Sequence, residues 1–181
     1  KGAMKKSLLI LLMGFMQSAL AVNDGSVVLP GGMLQFQGEI YSGTCTVNDG
    51  DMFLTVPMGQ ISSNQFKRAG DVADAVVFNI HFSYCNKNVT RNMAVVFHGN
   101  SDVRNPDLLG LDDRDSTAKG IAIALYDIDG KFVPLNTGQI PVRPKADGPY
   151  TLHLVAKYRA TQDNVSGGYA SAQAWFTLVY E

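Results

Sequence analysis

Charge of either sign is scarce in this sequence. Fifteen Lys and Arg stand against 16 Asp and Glu in 181 residues, a formal net charge of −1. A nucleic-acid binder carries a basic surplus or patch, and neither is present. Histidine is rarer still, limited to His81, His98 and His153. These three are scattered through β-rich segments and share no metal-ligand spacing. His81 alternates with apolar neighbours and reads as a surface or satisfied histidine. No Gly-x-Ser-x-Gly elbow, His-Glu-x-x-His motif or phosphate loop occurs, so the common catalytic frameworks have no foothold. After the first 21 residues no apolar run is long enough to cross a bilayer. What the chain does have is apolar content, 46% of residues, which suits one domain with a hydrophobic core.

Residues 1–21 read as an address. Met4-Lys5-Lys6 gives a positive start, residues 8–15 an apolar run, and Ala19-Leu20-Ala21 a small-x-small cleavage site. A membrane anchor is the rival reading, but the run is short for a bilayer. Lys1-Gly2-Ala3, ahead of Met4, has no assignable role. Cleavage after Ala21 predicts a product of residues 22–181. Removing Lys1, Lys5 and Lys6 leaves 12 basic against 16 acidic residues, about −4, which favours solubility and names no partner.

Export bears on the two cysteines, Cys45 and Cys85. In an oxidising compartment an isolated pair reads as a disulfide. It would close a loop of about 41 residues, worth roughly 3–4 kcal/mol in the chain-entropy model. A metal or nucleophilic site is the alternative. Zinc would need more ligands nearby, and the spacing fits none of its patterns.

The hydrophobic period is two almost throughout. Leu34, Phe36 and Ile40 alternate with Gln35, Gln37 and Glu39. Further β-rich runs are expected at residues 53–56, 76–82, 93–97, 121–126, 131–135, 150–160 and 172–180. Asp129-Gly130 marks a hairpin turn between two of them. Asn48-Asp49-Gly50, Ala69-Gly70-Asp71, Asp147-Gly148-Pro149 and Ser166-Gly167-Gly168 supply turn chemistry elsewhere. Helical signal is confined to one turn near residues 62–66, with Ser62 or Ser63 as its cap. Short strands at regular spacing predict an all-β sandwich without repeats or a second domain.

The two ends of that sandwich carry information. Phe176, Leu178 and Tyr180 share one face of the last strand, and Trp175, Thr177 and Val179 the other. The sequence stops at Glu181, so a further covering strand is expected to come from elsewhere; an uncovered edge is an aggregation hazard. Near the other end, Gly32, Leu34, Phe36, Gly38 and Ile40 share one phase with polar residues between them. Such a segment can add to a sheet edge through backbone hydrogen bonds while its apolar residues fill pockets. It can equally be the first strand of its own domain.

Several segments in order resemble one family. They are Phe36-Gln37-Gly38-Glu39-Ile40 with Cys45 seven residues after Gly38, Phe53-Leu54-Thr55-Val56-Pro57 with Gly59, and Phe78-Asn79-Ile80-His81-Phe82-Ser83-Tyr84-Cys85. Gly120-Ile121-Ala122-Ile123-Ala124-Leu125-Tyr126-Asp127 and the closing Phe176-Thr177-Leu178-Val179-Tyr180 complete the set. Together they resemble the type 1-like fimbrial subunits of the chaperone–usher pathway, across essentially all of residues 22–181. The resemblance implies an incomplete immunoglobulin-like sandwich lacking its last strand, with residues 22–41 as a donor-strand extension and 42–181 as the pilin domain. It implies a periplasmic chaperone, an outer-membrane usher and neighbouring pilin subunits as partners, and a fimbria on the cell surface as destination. Gly38 would be the small residue of the donor strand, with Gly32, Leu34, Phe36 and Ile40 around it. Phe176, Leu178 and Tyr180 would form the edge that receives chaperone or donor.

An enzyme, a cofactor or a metal finds no support. Asp112-Asp113-Arg114-Asp115 lacks the liganding period and central glycine of a calcium loop. Asp127 and Asp129 flank a turn, where aspartate is common for backbone reasons. Asn88-Val89-Thr90 and Asn164-Val165-Ser166 match a glycosylation pattern too short to carry weight. The alternative function is a secreted binding module that recognises a host glycan or protein through residues 100–119.

Overall fold

The computed structural model describes residues 45–88 and 92–180. The expected leader 1–21 and the extension 22–41, including Gly32, Leu34, Phe36, Gly38 and Ile40, lie outside the described residues. Eight strands occur among those described: β1 Thr46–Val47, β2 Val72–Cys85, β3 Met93–Gly99, β4 Ile121–Asp127, β5 Phe132–Val133, β6 Gln139–Pro141, β7 Gly148–Ala160 and β8 Ala174–Tyr180. They form a five-stranded sheet in the order β1-β2-β7-β4-β5 and a three-stranded sheet in the order β6-β3-β8. Every pairing between these strands is antiparallel. This is the expected all-β, immunoglobulin-like sandwich.

Alternation explains the long strands. In β7, Leu152, Leu154, Ala156, Tyr158 and Ala160 face inward and are buried, while the residues between them are more exposed. Ile80 and Phe82 of β2 and Met93, Val95 and Phe97 of β3 meet them in one core, as two inner sheet faces should. The edge strand β6 carries Pro141, tolerated there because proline has no N–H to give to a central ladder.

β4 departs from simple alternation and is buried on both faces. Its outward residues, Ala122 and Ala124, are small and covered by Leu108. The loop carrying Leu108 is held down by reciprocal backbone bonds of 2.9 Å between Leu109 and Ile123. Beside this second cluster, Lys157 Nζ lies 4.8 Å from the centre of the Tyr126 ring.

Turns follow their chemistry. Gly130, at φ 81°, allows the β4–β5 hairpin. Ser62 caps a single 3₁₀ turn at Ser63–Gln65. The Asp71 carboxylate accepts from the backbone N–H groups of Lys67 and Arg68 at 2.7 and 2.9 Å. These two bonds hold its pKa below the ordinary carboxylate value.

Two expected runs come out differently. Residues 53–56 form no strand, and residues 131–135 pair only at Phe132–Val133. Leu135 is buried instead by a turn that donates its N–H to Asp107 O at 2.9 Å. The 53–56 run has strong β-propensity, but a strand also needs a backbone partner, and none lies beside it among the described residues.

Candidate functional site

Between β8 and residues 51–59 the sandwich opens into a groove of about 880 Å³. Its floor is the exposed flank of the core: Phe78 and Ile80 from β2, Phe97 from β3, Ile123 and Leu125 from β4, and Ala156 and Tyr158 from β7. One wall is Phe176 and Leu178 of β8 with the preceding residues 170–175. β8 pairs with β3 from Gly99↔Ala174 to Met93↔Tyr180 and is the edge of its sheet. Its other side has no strand partner among the described residues.

The opposite wall is the unpaired 51–59 segment. No backbone–backbone hydrogen bond involves residues 53–61 among those described. Three of its apolar side chains stand in solvent, Phe53 at 94% exposure, Met52 at 63% and Leu54 at 43%, while Met58 packs against the core. With Trp175 across the gap at 60%, they give the groove an apolar rim. A cluster of large exposed hydrophobics around a cleft marks a binding surface.

The wall is anchored at its start. Asn48 caps the 3₁₀ turn Asp49–Asp51 and accepts from Gly50 N–H at 3.3 Å. The Asp51 carboxylate then accepts from the His81 backbone N–H and lies 2.8 Å from His81 Nδ1. Asn48 N–H donates to His81 O at 2.8 Å. Three bonds therefore tie this turn to β2, and residues 53–61 beyond it are held by side-chain packing of Met58 and Ile61 without backbone–backbone bonds among those described. Asp51→Ala is expected to cost about 1–3 kcal/mol and to speed protease cleavage within residues 52–58. Unchanged cleavage there would show that the wall is held by something else.

Phe176 and Leu178, expected at the receiving edge, both line the groove. Tyr180, the third, is half-buried at the far end of β8 and packs against the core. Cys45 and Cys85 are joined by a disulfide, buried at 5% and 0% exposure. His98 stacks on Trp175 with ring centres 5.9 Å apart and lies 2.9 Å from Thr177 Oγ1. His153 bonds Asn79 at 2.8 Å. The three histidines are thus separately partnered. No cluster of His, Cys, Asp or Glu among the described residues could hold a metal. Sequence reasoning missed the 51–59 wall and its Asp51 anchor, and it missed Tyr158 on the floor. The unpaired wall carried the same β-rich signature as a strand, and Tyr158 the same alternation as a core residue.

Comparison with known proteins joins this geometry to a family. Residues 34–181 match the fimbrial protein family. The chain belongs to that family. This fimbrial chain is 33% identical over 164 residues to long polar fimbria protein A of Salmonella typhimurium, covering 91% of this chain and 89% of that one. Among solved structures it is similar to a type I fimbria protein of Burkholderia pseudomallei, with 28% identity, 76% and 89% coverage and a TM-score of 0.57. It shares the fold of a chaperone–usher pilus chain at 22% identity, 86% and 99% coverage and a TM-score of 0.62. These relatives are structural subunits of surface appendages, not enzymes. No helix among the described residues is long and apolar enough to cross a membrane.

Proposed function

We propose that this fimbrial subunit polymerises by donor-strand exchange. The groove receives first a strand lent by a periplasmic chaperone and then, at an outer-membrane usher, the N-terminal segment of the next subunit. The observation that carries this reading is the pair of facing edges, β8 and residues 53–61, that find no backbone partner across the groove among the described residues. A strand laid between them would supply those bonds and cover the floor. Each Leu, Ile or Phe it buries is worth about 1.5–3 kcal/mol before entropy costs. Three or four such residues, with a ladder of backbone bonds, can hold a filament without covalent links. Leu34, Phe36 and Ile40, in phase with Gly32 and Gly38, have the required pattern. The finished filament, displayed on the cell surface, would support adhesion.

The test is size-exclusion chromatography of the exported chain with and without its co-expressed chaperone. Recovery as a one-to-one complex, and polymerising or unstable material without the chaperone, is the expected result. A stable monomer that needs no partner would refute the reading.

A further inference from the structure

The floor of the groove is apolar except at Tyr158. Its side chain is in the core, at 3% exposure, and it lines the groove. No hydrogen bond of its hydroxyl is seen among the described residues, and the oxygen is not sealed from solvent: the buried side-chain oxygen without a partner there is Thr161 Oγ1. Once a strand covers the groove, the phenol needs a partner from that strand. The local backbone is also unusual. Between Ala73↔Tyr158 and Ala75↔Lys157 the β2–β7 register shifts, with Asp74 as the extra residue at φ 48°. Bulges of this kind re-aim side chains beside functional sites.

The position of Tyr158 along the groove limits what can reach it. One end of the sandwich holds the Cys45–Cys85 disulfide, Cys85↔Gly148 and Met93↔Tyr180. The other holds Gly99↔Ala174 and Ile121↔Ala160. Tyr158, opposite Ile123, belongs to this second end. An open filament needs head-to-tail contacts, because a head-to-head pair closes on itself. A donor segment leads directly into Cys45 of its own domain. Head-to-tail growth therefore brings the C-terminal end of the donor out beside Tyr158, antiparallel to β8. Antiparallel is also the sense of every strand pairing described above.

In the phase of Gly32, Leu34, Phe36, Gly38 and Ile40, the next residue is Ser42. Leu34 to Ser42 is eight residue steps, the same as Ala170 to Leu178 along the groove wall. The inward face of the segment thus ends on a hydroxyl, as the groove floor does. We propose that Tyr158 is the polar specificity contact of the groove, and that the residue it receives is Ser42 of a second copy of this chain. This rests on the donor-strand reading above. Burial, and after it the charge of Asp74, raise the phenol pKa. The hydroxyl therefore keeps its proton through neutral pH and can donate to Ser42 Oγ. A donor with an aliphatic residue there would leave it unsatisfied, so the contact favours subunits whose apolar segment ends in a small hydroxyl residue.

The probe is a synthetic peptide of residues 30–44 added to the full chain, with its dissociation rate measured. Ser42→Ala in the peptide and Tyr158→Phe in the protein are each expected to speed dissociation about fivefold, the size of one net hydrogen bond. Combining them should add nothing further. The peptide change leaves the protein untouched, so the result does not depend on how well Tyr158→Phe folds. Release that is indifferent to Ser42, or effects of the two changes that multiply, would overturn this contact while leaving the donor-strand reading intact. A peptide that fails to bind at all would overturn both.

Discussion

Gly38→Arg is expected to reduce fibre yield at least 100-fold while the subunit is still recovered bound to its chaperone. The two halves of that result separate two roles. In the proposed cycle chaperone binding would use the groove of the subunit, whereas Gly38 would lie in the segment the subunit inserts into its neighbour. An arginine in the inward phase between Phe36 and Ile40 would carry a charge onto a floor of Phe78, Ile80, Phe97 and Leu125. Burying an unpaired charge costs several kcal/mol. At about 1.4 kcal/mol per tenfold, two or more orders of magnitude are lost. Fibre yield by electron microscopy, beside the chaperone complex by chromatography, gives both readings. Normal fibres from this variant would remove Gly38 from the donor strand.

Loss of the disulfide should have the largest effect on stability. Both sulfurs are buried, and the bond joins positions 40 apart in sequence. Replacing Cys45 and Cys85 together by alanine is expected to cost about 3–4 kcal/mol, a fall of roughly 10 °C in unfolding midpoint for a domain of this size. Wild type and variant should be compared with the same donor peptide bound, so that the state of the groove does not differ. A loss below about 1 kcal/mol would mean that packing alone holds β1 against β2.

Long strands were legible because each carried a sustained β-rich run, alternating where one face is exposed and continuous where both are buried. Alternation in residues 76–82, 150–160 and 172–180 located β2, β7 and β8, and the continuous β-rich runs 93–97 and 121–126 located β3 and β4. β1 and β6, of two and three residues, are too short for alternation to show, and β6 ends on a proline. Residues 53–56 carried a strand pattern without becoming a strand. Side-chain preference is written in the chain, but a backbone partner is a property of the fold. The same limit applies to the site. Phe176 and Leu178 could be named because they alternate on an edge. Asp51 could not, since its partner His81 is 30 positions away and nothing in either neighbourhood announces the pair. Tyr158 looked like any inward residue of β7. Only the groove beside it, and the bulge at Asp74, set it apart.

The disulfide has a mechanical side as well. In a filament joined by the proposed donor-strand exchange, tension would reach each domain from its N-terminal side and arrive at Cys45. The covalent link would pass it straight to Cys85 at the end of β2, where the strand is laddered to β7. Residues 46–84 would be bypassed, including residues 53–61, which make no backbone–backbone hydrogen bond among those described. That segment, without a backbone ladder of its own, would be shielded from stretching, and the load would fall on the long central ladder.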